Sequence, residues 1–156
     1  HVDTNATILT KDYIDKLVEA GMTDIGPDLK GYYPATFMQI TGIEDKGLAE
    51  RYLNTAWEAV QYLIEKYKDS VFTGVGIPYN KKLTAPQEIG LMGERLYEID
   101  PEIQVCVLDY RPEFKRLDLV KPHFNEMVEI HKILTRKGLM NVICQTEYGH
   151  IGPQLE

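Results

Sequence analysis

Five places along the chain put polar side chains directly after an apolar run: Asp3-Thr4-Asn5, Asp28-Leu29-Lys30, Gly76 to Asn80, Asp109-Tyr110-Arg111 and Gln145-Thr146-Glu147. In βα folds the residues that follow the strands carry the functional groups, so these are the positions where chemistry would be found. Carboxylates at Asp3 and Asp28 with cations at Lys30 and Arg111 would suit a zwitterion, the carboxylates taking an ammonium and the cations a carboxylate. Polar strand ends that simply reach solvent account for the same residue types equally well.

Other candidates are weaker. His123 and His131 stand eight residues apart with no cysteine or third histidine near them, which argues against zinc. Gly74-Val75-Gly76 lacks the third glycine and the immediate helix start of a phosphate-binding loop. The two cysteines, Cys106 and Cys144, each lie in an apolar, strand-like run and read as buried free thiols. Trp57 reads as core, and residues 149–153 as a glycine-rich terminal turn.

The elements that must position these residues alternate. Helical spacing covers residues 10–20, 47–68, a stretch opening at Thr84 and one opening at Pro122, with a shorter turn over 34–40. Thr84-Ala85-Pro86-Gln87 matches a capping box, and Gly21 and Gly138 are stop signals. Extended runs cover residues 2–5, 23–30, 71–77, 103–110 and 141–145. Several are apolar on consecutive residues, as in Val105-Cys106-Val107-Leu108, which suits parallel strands covered on both faces. The expected class is therefore α/β with parallel strands in right-handed βαβ units, forming a single domain over residues 1–153.

Composition sets outer limits. With 156 residues and 44% hydrophobic content, the chain can bury a core without disulfides or a structural metal. Its formal charge of −7 argues against nucleic acid or an acidic membrane surface as partner. No run approaches membrane length and no signal-peptide pattern opens the chain, which points to the cytoplasm. The start at His1 and the closing Leu155-Glu156 read as a trimmed fragment, with residues 154–156 a tag-linker remnant.

Taken in order, Asp3-Thr4-Asn5, Asp28-Leu29-Lys30, Gln39-Ile40-Thr41-Gly42 and Val75-Gly76-Ile77-Pro78 resemble the radical S-adenosylmethionine (AdoMet) family, in particular its pyruvate formate-lyase activating enzymes. Arg111-Pro112-Glu113-Phe114-Lys115 is similar to a segment of activating-enzyme-like members. The resemblance implies the C-terminal half of an open, partial (β/α) barrel, from an enzyme that cleaves AdoMet reductively and abstracts hydrogen from a protein or small-molecule substrate. It implies Asp3, Asn5, Asp28, Lys30, Val75 and Arg111 as AdoMet-binding positions, with Lys30 on the carboxylate or ribose and Val75 against the adenine. It also implies a monovalent cation beside the AdoMet carboxylate, held by Asp3, Thr4, the Gly26 carbonyl and Asp28. Thr73 and Arg111 depart from the family, which has an arginine and a histidine there.

The family's 4Fe-4S cluster needs a CxxxCxxC loop, which the parent would carry ahead of His1; two distant cysteines hold no cluster, so this fragment is expected to be inactive by itself. Two rival functions share the same rim: a Schiff-base lyase or aldolase using Lys30, and a non-catalytic half-barrel that binds a small molecule. A fragment cut at a strand is further expected to self-associate.

Overall fold

The alternation of elements is realised in the computed structural model, which describes residues 1–113 and 116–153. In chain order these are β1 (Val2–Thr4), α1 (Lys11–Glu19), β2 (Asp24–Pro27), α2 (Pro34–Thr41), α3 (Lys46–Tyr67), β3 (Phe72–Tyr79), α4 (Pro86–Ile99), β4 (Gln104–Asp109), α5 (Phe124–Arg136), β5 (Asn141–Thr146) and β6 (Gly149–Ile151). The strands form a six-stranded sheet in the order β1-β2-β3-β4-β5-β6. β1 with β2, β2 with β3 and β4 with β5 are parallel; β5 and β6 are antiparallel. The fold is α/β with a mostly parallel sheet, as the alternating pattern predicts.

The chain divides into two compact units, His1–Gly76 and Ile77–Glu156. The boundary falls inside β3, a continuous strand in which Gly74, Gly76 and Pro78 surround it.

In the first unit the long helix α3 begins at Asp45, whose carboxylate accepts from Leu48 N at 2.9 Å and so satisfies one of the free N–H groups of the first turn. Its buried stripe, Ala49, Leu53, Ala56, Trp57, Val60 and Leu63, follows helical spacing. Trp57 is fully buried, and its indole N–H donates to the Gly31 carbonyl at 3.2 Å, so the ring enters the core without an orphaned donor. Helix α2 starts on Pro34 and ends on Gly42, whose φ of 76° is a left-handed conformation that glycine adopts without strain.

In the second unit two boundaries differ from the sequence expectation. Helix α4 starts at Pro86 with Ala85 as its N-cap, not Thr84. A residue before proline is held out of the helical region, and Ala85 is extended at φ −69°, ψ 145°, so the helix cannot begin early enough for Thr84 to cap it. The Thr84 hydroxyl is instead buried and, among the described residues, without a partner. Helix α5 opens at Phe124 rather than Pro122, with Glu126 Oε2 accepting from His123 N at 2.9 Å.

The segment read as a terminal turn forms β6, pairing Gln145 with His150 and Cys144 with Ile151. A three-residue strand that opens on Gly149 and runs into Gly152 carries no periodicity; the hairpin is held by its turn, where the Thr146 hydroxyl donates to the Gly149 carbonyl at 2.9 Å. Strands β4 and β5 also differ from a doubly covered run. Val105, Val107 and Asp109 are buried while Gln104, Cys106 and Leu108 are half-buried, so one face is covered more fully than the other. Cys144 is buried as expected, but Cys106 is only partly so. Residues 154–156 and the Phe114-Lys115 part of the family-like segment lie outside the described residues.

Candidate functional site

Strand alternation decides which side chains of the first unit share a face. Asp3 lies opposite Gly26 in the β1–β2 register, and Asp28 lies beside Gly76 in a parallel bridge. Ile25, Leu29 and Val75 are buried on one face of these strands. The alternate residues, Asp24, Gly26, Asp28 and Lys30 on β2 and its extension and Gly74 and Gly76 on β3, form a half-exposed face floored by glycine.

Two carboxylates lie across that floor. A Cβ on Gly26 would stand 2.6 Å from Asp3 Oδ1, and a Cβ on Gly76 would overlap Asp28 Oδ1. Each glycine therefore leaves the space that the neighbouring strand's carboxylate fills. Lys30 Nζ is 2.6 Å from Asp28 Oδ2, and its side chain is only 19% exposed, so the ammonium is held at the rim rather than spread into solvent. The backbone fixes the strand end as well: Asp28 N donates to the Thr4 carbonyl at 2.8 Å and Leu29 N to the Gly76 carbonyl at 2.8 Å.

The remaining expected residues fall into place around this core unevenly. Asn5 Oδ1 accepts from Thr7 N and the Thr7 hydroxyl, which closes the turn after β1. Thr4 Oγ1 accepts from Ala6 N. Asp3 is exposed and bonded to the His1 ring at 2.9 Å. Val75 has no exposed surface and sits on the face opposite Asp28, so only its backbone could meet a ligand lying beside Asp28. Among the described residues no group of three or more His, Cys, Asp or Glu side chains is arranged to hold a metal.

Arg111 belongs to the second unit, where its Nε donates to Asp109 Oδ1 at 3.0 Å; that carboxylate holds the guanidinium pKa above its ordinary value. Asp109 closes the buried side of β4 and is only 1% exposed in its side chain. Lys121 Nζ stands 3.6 Å from Asp109 Oδ2, within ion-pair reach but beyond hydrogen-bonding distance, and among the described residues Oδ2 has no hydrogen-bond partner.

At the end of β3, Asn80 is buried and its amide donates to both the Tyr110 and Val120 carbonyls, each at 2.9 Å. Nearby, Lys81 pairs with Glu126 at 3.0 Å. Burial acts to raise the Glu126 pKa, but the His123 N–H and the Lys81 ammonium outweigh it and hold the carboxyl below its usual range. Sequence reasoning named Asp109 and Asn80 only as members of polar strand ends, and it missed Lys121. A lysine in an irregular segment carries no spacing signal.

The cysteines cannot act together. Cys106 is in register with Ile143 and Val107 with Cys144, so the two thiols point to opposite faces of adjacent strands. Burial, then the neighbouring Cys106, pushes the Cys144 thiol up to about 12, which leaves it protonated and inert near neutral pH.

No protein-family model matches the chain, and no curated protein matches it.

Proposed function

We propose that the chain is part of a (β/α) barrel of the radical AdoMet type, and that the glycine-floored face of its first unit binds the polar end of AdoMet. The observation that carries this reading is the pair of carboxylates, Asp3 over Gly26 and Asp28 over Gly76, with Lys30 bonded to Asp28 at 2.6 Å. A cation at the rim suits the ligand's carboxylate, and oxygen donors of this kind suit its positively charged groups or an accompanying monovalent ion. The glycines let the ligand and the carboxylates approach the backbone closely.

In that reading Lys30 orients the AdoMet carboxylate and Asp28 holds Lys30 in place. Asp3 and Asp28 supply negative charge toward the ion, and Asn5 shapes the turn beside them. The family's cluster supplies the electron that cleaves AdoMet when bound, and it requires three thiolates; this chain has two cysteines, on opposite faces, which do not fit it. No step of the chemistry is therefore assigned to residues of this chain beyond binding and orientation.

Equilibrium dialysis with radiolabelled AdoMet in potassium buffer tests the reading. Saturable binding is expected, weakened roughly tenfold or more by Asp28→Asn or Lys30→Ala, as loss of a charge-assisted contact implies, with little change in melting temperature. Absence of saturable binding, or two variants that lose folding together, would reduce the pair to a structural ion pair.

A further inference from the structure

In the second unit, we infer that Arg111 and Lys121, mounted on the buried carboxylate of Asp109, form an anion-binding site for a carboxylate or phosphate group. The inference rests on contacts within that unit alone and stands apart from the AdoMet reading.

Charge comes first. Two cations face the one buried carboxylate, Asp109, while the second carboxylate that acts on Arg111, that of Glu113, is exposed to solvent and screened by it. Among the described residues Arg111 bonds Asp109 through Nε alone, at 3.0 Å, which fixes the guanidinium plane and leaves the Nη1/Nη2 fork unengaged by them. Its side chain is 43% exposed and that of Lys121 is 34% exposed, while Asp109 is 1% exposed. A fork held from behind by a buried carboxylate is the arrangement that receives a planar or tetrahedral oxyanion with two parallel hydrogen bonds.

Position is fixed by a second buried group. Asn80, 1% exposed, donates its amide protons to the carbonyls of Tyr110 and Val120, the residues immediately before Arg111 and Lys121. Its Oδ1 accepts from Lys82 N at 3.0 Å, and Tyr110 N donates to the Tyr79 carbonyl at 2.9 Å. One amide thus ties the backbone beside both cations, so less ordering cost falls on the ligand.

A purely structural staple would satisfy both carboxylate oxygens. Here, among the described residues, Asp109 Oδ2 has no hydrogen-bond partner and the Lys121 ammonium stands off at 3.6 Å. The second cation is placed to turn its N–H groups toward an incoming anion while still balanced by Asp109.

Heteronuclear spectra that include the arginine Nε–H group, recorded while inorganic phosphate or acetate is added at constant ionic strength, provide the test. Saturable shifts at Arg111 and Lys121 are expected with at least one of the two anions. Arg111→Gln and Lys121→Gln should each weaken affinity roughly tenfold, the effect of one charge-assisted hydrogen bond. Lys82→Gln removes a neighbouring cation that pairs with Asp118, and should change affinity by less than about twofold. Tighter phosphate binding identifies a phosphoryl-bearing ligand, and tighter acetate binding a carboxylate-bearing one. Unsaturable drift with both anions, or an equal loss from Lys82→Gln and Arg111→Gln, would overturn the site as nothing more than ionic screening.

Discussion

Gly76 shows at the level of one residue how the candidate site is made. A methyl group there would overlap Asp28 Oδ1, so the carboxylate would have to leave the position from which it holds Lys30. Gly76 is not among the positive-φ residues, so alanine is acceptable to its backbone, and the conflict is with Asp28 alone. Gly76→Ala should therefore destabilise the protein by about 1 kcal/mol through overpacking. In an Asp28→Ala background the same change should instead stabilise by about 0.5–1 kcal/mol, because alanine loses less chain entropy than glycine. Urea unfolding of the four proteins of this cycle measures the coupling; the same sign in both backgrounds would show that Asp28 does not occupy that space. The residue types of this site were legible in the sequence, since Asp28 and Lys30 follow an apolar run and share a face. The floor was not: Gly74 and Gly76 read only as an incomplete phosphate loop, because which strand lies beside Asp28 is a property of the sheet.

At the scale of elements, helices α1 and α3 are joined by one carboxylate. Asp15 accepts from Tyr67 OH at 2.7 Å, from Lys66 Nζ at 3.0 Å and from Tyr62 OH at 2.9 Å. Lys66 also lies 5.1 Å from the centre of the Tyr62 ring. Hydrogen bonds from Tyr67 and Lys66 lower the Asp15 pKa from 3.8 to about 2. A folded-state pKa below the unfolded value contributes stability that is present above 3.8 and is lost as pH falls toward 2. Asp15→Asn should accordingly lower the melting temperature at neutral pH, and the gap from the parent protein should close on acidification through that window. A gap that stays constant down to the lower limit would mean that Asp15 is not held ionised by its partners. Helix positions were the most readable part of the chain, because the buried stripe of α3 repeats at helical spacing. Boundaries set by short-range geometry were not, as Ala85 before Pro86 and the three-residue β6 show.

For the molecule as a whole, the sheet order leaves β1 and β6 as edge strands, and the two edges differ. β6 is three residues long and runs into Gly152-Pro153, where proline removes a backbone donor that a neighbouring strand would need. β1 has no such block: among the described residues its only strand partner is β2, so alternate N–H and C=O groups of Val2–Thr4 face outward. Two copies can satisfy those groups by antiparallel pairing across a twofold axis, which closes the assembly at a dimer. Against this stands the formal charge of −7 on each copy, with Asp3 at the edge itself. Like-charge repulsion of this kind is long-ranged in dilute salt and screened at higher salt, so association should strengthen as salt is added. Light scattering across a concentration series should show monomer at low ionic strength and a growing dimer fraction at high ionic strength. Val2→Lys, which adds a charge to the exposed strand, should suppress the dimer without altering the melting temperature of the monomer. A protein that stays monomeric at high salt, with slow amide exchange in Val2–Thr4, would show that the β1 edge is already covered and offers no surface for pairing.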